Sequence, residues 1–444
     1  MTRLFPDFAY GPGPRDGCWW DETIVAPDWP QPAGALRADV AIIGGGFTGI
    51  SAALHLAERG VEVALFEAET PGWGASGRNG GFCCLGGAKI GAAALERQVG
   101  KGAALAYWRA EADAVWLARA LIERFCIVAD THSEGETQLA HSRRQMDGLR
   151  RAADEINRIH GVSPEVIPAA DLPARGMGGP FHGAMTVPIG FALNPRKYLF
   201  GLAQAAQGFG ARLFQRARVT RVERRGQGLR LHMAEGTHVD AAQVIVATNG
   251  YSSDDLPAGL AGRYMPAQSN VLVTRPLTAA EQEAQGWRSA QMAYDTRNLL
   301  HYFRLMPDGR FLFGLRGGLL ATPRAEAAAR RAARRDFEMM FPRWAHVPSA
   351  HAWSGLVCLS QKRVPFVGPI PGEPGVFAGF AYHGNGVAMG TYAGRSLADL
   401  VVGSGSASLP AAMTGAPGRF PFGRWRRVVM PPIYLALWLR DVFG

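Results

Sequence analysis

The sequence predicts an α/β chain, α+β overall, on three observations. Near the N-terminus a glycine-rich turn joins a short apolar run to a helical stretch. A second apolar run ending in an acid follows at once. Farther along, apolar runs joined by tight turns signal antiparallel strands. With 444 residues, 48% of them hydrophobic, the chain can bury two cores.

The first element is Asp39-Val40-Ala41-Ile42-Ile43, whose apolar run suits a buried parallel strand. Gly44-Gly45-Gly46-Phe47-Thr48-Gly49 carries G-x-G-x-x-G. Ile50 to Arg59 forms a helical stretch with Ile50, Leu54 and Ala57 on one face, stopped by Gly60. Val61 to Phe66 is a second strand, and Glu67 stands 18 residues after Gly49. The spacing has physical causes. Gly44 permits the turn, Gly46 lets the backbone approach a pyrophosphate, and Gly49 lets helix and strand pack closely. The helix N-terminus faces the phosphate charge, and Glu67 is placed to accept ribose hydroxyls. This is a Rossmann-like dinucleotide unit. A single complete copy, an acid at Glu67 and no adjacent Arg favour FAD over NAD or NADP, without composition deciding between FAD and NAD.

The formal charge is +10. Lysine occurs only at Lys89, Lys101, Lys197 and Lys362, and arginine supplies the rest. Arg330, Arg331, Arg334 and Arg335 fit a solvated helix face, so no nucleic-acid partner is expected. Five cysteines without regular spacing argue against a disulfide scaffold, and no Cys pair has zinc spacing, so no metal is expected. Met1 to Tyr10 lacks the apolar core of a signal peptide, and no apolar run is long enough to span a bilayer. A cytoplasmic enzyme is the expectation.

The loop after Glu67, Gly74-Ala75-Ser76-Gly77-Arg78-Asn79-Gly80-Gly81, resembles that of FAD-dependent oxidoreductases of the D-amino-acid oxidase superfamily. Further matches follow in order along most of the chain: Asn194-Pro195-Arg196-Lys197-Tyr198, Arg218 to Val222, and Val244 to Gly250. Trp353 to Gly368 and Gly384 to Gly390 complete the series. The resemblance implies FAD as cofactor and oxidation of a C–N bond in a small amine or amino acid, by hydride transfer to flavin and hydrolysis of the imine. The implied cofactor-binding residues are Gly44, Gly46, Phe47, Thr48, Gly49, Glu67, Ala68, Ser76, Arg78, Asn79, Gly80, Gly81, Val219, Ala247, Thr248, Gly250, Gly384, Asn385, Gly386, Val387 and Ala388. It also implies a discontinuous FAD-binding domain (36–95, 165–255 and 355–425). An interleaved antiparallel-sheet substrate domain (96–164 and 256–354) and a C-terminal tail (426–444) make up the rest. A family tether through Cys358 is not expected, because its spacing to Gly368 does not match.

On the substrate side, Leu299 to Leu305 and Phe311 to Gly314 flank an Asp308-Gly309 turn, a hairpin signature. Tyr302 and Arg304 fall on one strand face. Arg304 suits a bidentate grip on a substrate carboxylate, or a structural role within the hairpin. His383, just before the second glycine loop, is the best-placed titratable group. Tyr302, Arg304 and His383 are therefore the candidate catalytic residues, and Lys362 a further cation. Arg424-Trp425-Arg426-Arg427 precedes Val428 to Leu439, basic then apolar. Such a tail either docks on the FAD domain or lies in a membrane interface. The second case leads to an alternative, a membrane-associated dehydrogenase passing electrons to quinone.

Overall fold

The computed structural model describes residues 2–404 and 409–443; Met1 and Gly444, the outer ends of two stretches considered above, lie outside them. Two eight-stranded sheets carry the architecture. In the first, Ala35–Ile43 lies between Val63–Phe66 and His238–Val246, parallel to both. Arg212–Phe214 extends one side, and Val376–Phe380 with antiparallel Phe366–Pro369 the other. Val219–Arg225 and Gly228–Met233 attach as an antiparallel flap.

The helix after the fingerprint runs Phe47–Ala57, three residues earlier than its apolar spacing suggests. It starts where Gly46, extended at ψ −175°, ends the turn. All its residues are buried, not one face only. The cause is its place between the sheet and the helices Pro195–Gly208 and Ala388–Val401. Asn194 caps the former, its side chain accepting from the Arg196 and Lys197 amides at 3.1 and 3.2 Å, with Pro195 in the first turn.

The second sheet runs His351–Leu359, Met265–Pro276, Arg310–Arg316, His301–Leu305, Met292–Asp295, Glu136–Leu139, Gly183–Val187, Glu165–Pro168. The Asp308-Gly309 turn joins His301–Leu305 to Arg310–Arg316 in antiparallel register, Arg304 opposite Leu312. Its outer face packs an aromatic core of Trp287, Phe303, Phe311, Phe337, Phe341 and Trp344. Glu165–Pro168 and Gly183–Val187, assigned by sequence to the first unit, pair into this sheet. Their short apolar runs do not encode which sheet they join; pairing with Glu136–Leu139 decides it.

The C-terminal segment from residue 426 is docked against the rest of the chain. Arg426 is fully buried and grips Asp254 with both terminal nitrogens at 2.7 and 2.8 Å. Beyond it, the helix Met430–Phe443 is latched by Asp441, whose carboxylate accepts from the Asn298 and Leu299 amides.

Candidate functional site: a dinucleotide cavity with a substrate chamber

The carboxyl ends of Ala35–Ile43, Val63–Phe66 and His238–Val246 open into one cavity of about 1040 Å³. Open α/β sheets bind ligands at that edge. Pockets for drug-sized ligands span about 300–1,000 Å³, so this one has room for a dinucleotide and a small substrate together. The second sheet forms the opposite wall through Gln268, Ser269, Tyr294, Tyr302 and Arg316.

At one end of the cavity the glycine turn, the loop after the second strand and Glu67 come together. Gly44 sits at φ +106°, with Ala247 carbonyl atoms against the position of any side chain. A Cβ on Gly46 would lie 2.9 Å from Ser76 Oγ, and that hydroxyl accepts from the Phe47 amide at 3.0 Å. The loop after the second strand is thereby pinned to the helix N-terminus. Glu67 Oε2 accepts from the Gly45 amide at 2.8 Å and Oε1 from the Glu69 amide at 3.0 Å, holding the acid at the cavity wall. Burial pushes its carboxyl upward, against the pull of those amides. Ala68, Val219, Ala247 and Thr248 complete this end.

Buried polar atoms without partners test whether a polar ligand belongs here. Arg78 Nη2, Tyr251 Oη and Ser253 Oγ are such atoms on residues that line the cavity. Arg78 is otherwise fixed: Nε donates to Trp73 O at 2.6 Å, and the Trp353 indole donates to Arg78 O at 2.7 Å. Trp20 donates to Asn79 O at 2.8 Å, and Asn79 Oδ1 accepts from the Gly81 amide at 2.8 Å. The residues present fit a dinucleotide cofactor.

At the far end, Ala381, His383 and Gly384 all have positive φ. This bend delivers Gly384, Asn385, Gly386 and Val387 to the cavity, just before the helix Ala388–Val401. Asn385 Nδ2 donates to Cys84 O at 2.7 Å, and Arg316 Nη2 donates to His383 O at 2.8 Å. A helix N-terminus aimed at this end favours negative charge.

Not every residue expected at the site touches it. Gly49, Gly81, Gly250 and Ala388 shape the cavity from behind its wall. Gly81 and Gly49 meet backbone carbonyls, and Gly250 packs on Leu356 and Val357. Arg304 is corrected as a carboxylate grip. It is 1% exposed and does not line the cavity. Its Nε donates to Gly80 O at 3.0 Å and Nη2 to Leu193 O at 2.8 Å, while Nη1 meets His132 Nε2 at 2.9 Å. The loop Asn79–Gly81 lies between it and the chamber, so its fork is spent on backbone. Tyr302 does line the chamber, its hydroxyl 3.0 Å from Ser269 Oγ.

His383 lines the chamber but is not a proton acceptor. Nδ1 donates to Gly87 O at 2.7 Å and Nε2 accepts from the Ser360 amide at 3.1 Å. Burial first, then the nearby Lys89 and Arg316 charges, hold its pKa down to about 3. The ring is neutral with both nitrogens occupied, and it positions the loop. Lys362 does not line the cavity; Cys358 does, with its thiol pushed up to about 12 by burial.

Three contributors escaped the sequence reading. Arg316 and Lys89 open onto the chamber, and Met430, Ile433, Tyr434 and Leu437 of the C-terminal helix wall it. The scarcity of lysine was the one available signal for Lys89. Arg316 closes the same hairpin as Arg304, and periodicity does not say which arginine faces inward.

The family model described as FAD dependent oxidoreductase matches residues 39–400. The chain belongs to that family. It is an FAD-dependent oxidoreductase. A probable oxidoreductase OrdL of Rhizobium meliloti is 30% identical over 431 residues, covering 96% of this chain and 97% of that protein. The loop Gly74–Gly81 points, within the superfamily, to γ-glutamylputrescine oxidoreductase. The Escherichia coli protein of that name is 29% identical over 413 residues, covering 92% of this chain and 94% of its own. Among solved structures, glycine oxidase from Geobacillus kaustophilus superposes with a TM-score of 0.71 at 23% identity, over 85% of this chain and 98% of its own. At that identity the likeness shows the fold.

Proposed function

We propose that this flavoenzyme oxidises a C–N bond in a small amine that carries a carboxylate. The observation that carries the reading is Arg316. Its side chain is half-buried, lines the chamber and has no carboxylate partner among the described residues. A half-buried guanidinium beside a cavity, without a counter-charge, suits an anionic ligand. It keeps donors to spare after Nη2 reaches His383 O. Names such as γ-glutamylputrescine oxidoreductase and glycine oxidase among the relatives support an amine or amino acid as the substrate.

Gly44, Gly46 and the helix N-terminus at Phe47 would hold the pyrophosphate, Glu67 the ribose, and the Gly384–Val387 loop the flavin ring. FAD supplies a two-electron hydride acceptor when bound. Arg316 fixes the substrate carboxylate, and Tyr302 and Tyr434 wall the chamber so that the α C–H is presented in one orientation. The second sheet and the C-terminal helix exclude bulk water until the imine leaves to hydrolyse to a carbonyl compound and an amine.

The test is an anaerobic panel of amines with and without a carboxylate. Amino acids should bleach the visible flavin band, and their decarboxylated counterparts should do so at least about tenfold more weakly (1.4 kcal/mol). Equal bleaching by both sets would sink the carboxylate requirement. Readmitted air then separates oxygen from another acceptor.

A second reading has its own observation. The C-terminal helix turns Leu435, Trp438, Leu439 and Phe443 to solvent, Phe443 at 78% exposure, with Arg424 and Arg440 exposed nearby. An apolar, aromatic face flanked by arginines suits peripheral contact with an anionic membrane, with quinone as acceptor. Among the described residues, no helix is long and apolar enough to cross a membrane. Because Arg426 is buried, the comparison uses Trp438→Glu with Leu439→Glu rather than truncation. Full-length protein should sediment with anionic vesicles and the double variant should stay in solution; equal sedimentation rejects the anchor.

A further inference from the structure

The loop Cys84–Lys89 separates the substrate chamber from a buried polar cluster that the proposed reaction has not yet used. On the chamber side, Lys89 presents its side chain with no hydrogen bond or ion pair among the described residues. The side chain is exposed and lies at the cavity wall. Behind the loop, the Glu111 carboxyl is 5% exposed and faces the Gly86 and Ala88 amides and the Tyr107 hydroxyl. Glu111 Oε1 and Tyr107 Oη approach without reaching hydrogen-bond geometry, and each is buried without a partner. Glu136, at 3% exposure, lies beside them facing Cys84 and Tyr294.

Resting on the proposed function, we propose that Lys89 is the catalytic base that takes the proton from the substrate ammonium, and that Glu111 is a positioning residue that sets its protonation. The amine must lose that proton before its α C–H can leave as hydride. The step is R–NH3⁺ with a neutral Lys89 amine giving R–NH2 and a Lys89 ammonium. Loss of the α C–H as hydride then leaves an iminium, whose hydrolysis itself gives the carbonyl compound and the protonated amine, so the Lys89 proton passes to solvent or to the electron acceptor before the next turnover. The charges that act on Lys89 are Arg316 from the hairpin, which lowers it, and Cys84 from its own loop and Glu111 from the helix Lys101–Arg124, which raise it; Lys89 in turn acts on His383. Arg316 first, then enclosure, brings the Lys89 ammonium down to about 7. Burial brings the Glu111 carboxyl up to about 7. Near neutral pH a large fraction of Lys89 is therefore the free amine, and the Glu111 charge limits how far Arg316 pushes its midpoint down.

The chain has four lysines, so ¹³C reductive methylation of the holoenzyme yields few NMR signals to titrate. The signal missing from Lys89→Met should titrate within about a unit of pH 7, well below the usual lysine range near 10. Glu111→Gln should move that midpoint down, because an acid that raises it has gone. A Lys89 signal titrating with the rest overturns the proposal. In anaerobic reduction at pH 7, Lys89→Met should be slower by about 10²–10⁴-fold. Its remaining rate should climb about tenfold per pH unit as the free amine forms. Lys89→Arg, charged but never neutral, should be no faster than Lys89→Met; restored rate would make Lys89 a fixed charge and end the idea. A wild type that no amine reduces removes the proposed function itself. A wild type that amines reduce, with an indifferent Lys89→Met, removes only the proton transfer.

Discussion

Gly49→Ala is expected to purify folded but without its yellow flavin. A Cβ at residue 49 would overlap the Gly44 carbonyl oxygen, with the Gly44 carbonyl carbon at 3.2 Å and Ile42 Cγ2 at 3.3 Å. Neither obstacle is a flexible side-chain end; one is the backbone of the fingerprint turn, the other a fully buried strand residue. The helix Phe47–Ala57 must back away, and its first amides then leave the place where they meet the pyrophosphate. We expect FAD affinity to fall at least about 100-fold, near 3 kcal/mol. The check is flavin content by visible absorbance together with titration of the stripped protein by fluorescence quenching. Circular dichroism establishes that the sheet survives. Gly60→Ala is the contrast: Gly60 has φ +74° with nothing within 4 Å of its missing side chain. That change should cost about 1–2 kcal/mol of stability from backbone strain alone and leave flavin content unaltered. Full flavin in Gly49→Ala would mean that the turn is not the cofactor's cradle.

Arg316→Met should raise the KM for a carboxylate-bearing amine by about 30–1,000-fold, the 2–4 kcal/mol of a lost charge-assisted contact in an enclosed site. A carboxylate-free amine, already poor, should change by less than about threefold, because it never used the guanidinium. Arg316 also donates to His383 O, so flavin content must be measured beside the kinetics. Arg316→Lys, which keeps charge but not the planar fork, should recover part of the loss. Arg304→Ala provides the opposite pattern. Its guanidinium serves Gly80 O and Leu193 O, so the expected result is about 2–4 kcal/mol of lost stability and an unmoved KM. If Arg304→Ala moves KM and Arg316→Met does not, the two assignments are exchanged.

The nucleotide half of the site was legible because its chemistry is local. Gly44 to Gly49, the strand before them and Glu67 after them lie within thirty residues, and each is needed for a reason that backbone sterics and one carboxylate supply. Asn194 and Pro195 announced a helix start in the same way. The substrate half was legible only in outline. Tyr302 and Arg304 share a strand face, as period two requires. Yet only Tyr302 reaches the chamber, since the Asn79–Gly81 loop, more than two hundred residues away in sequence, covers Arg304. Likewise Glu165–Pro168 and Gly183–Val187 contain nothing that tells which sheet they will join.

The sequence by itself determined the dinucleotide unit, the two-sheet α/β character and the flavin's family, because turn glycines, strand periodicity and caps act between near neighbours. Tertiary structure alone decided which cations reach the chamber and what closes it. Arg316, Lys89 and Tyr434 come from three distant segments; burial shifts Glu111 and His383, and the Arg316 charge shifts Lys89. Charge in an enclosed site depends on every neighbour at once, and that sum exists only after the chain has folded.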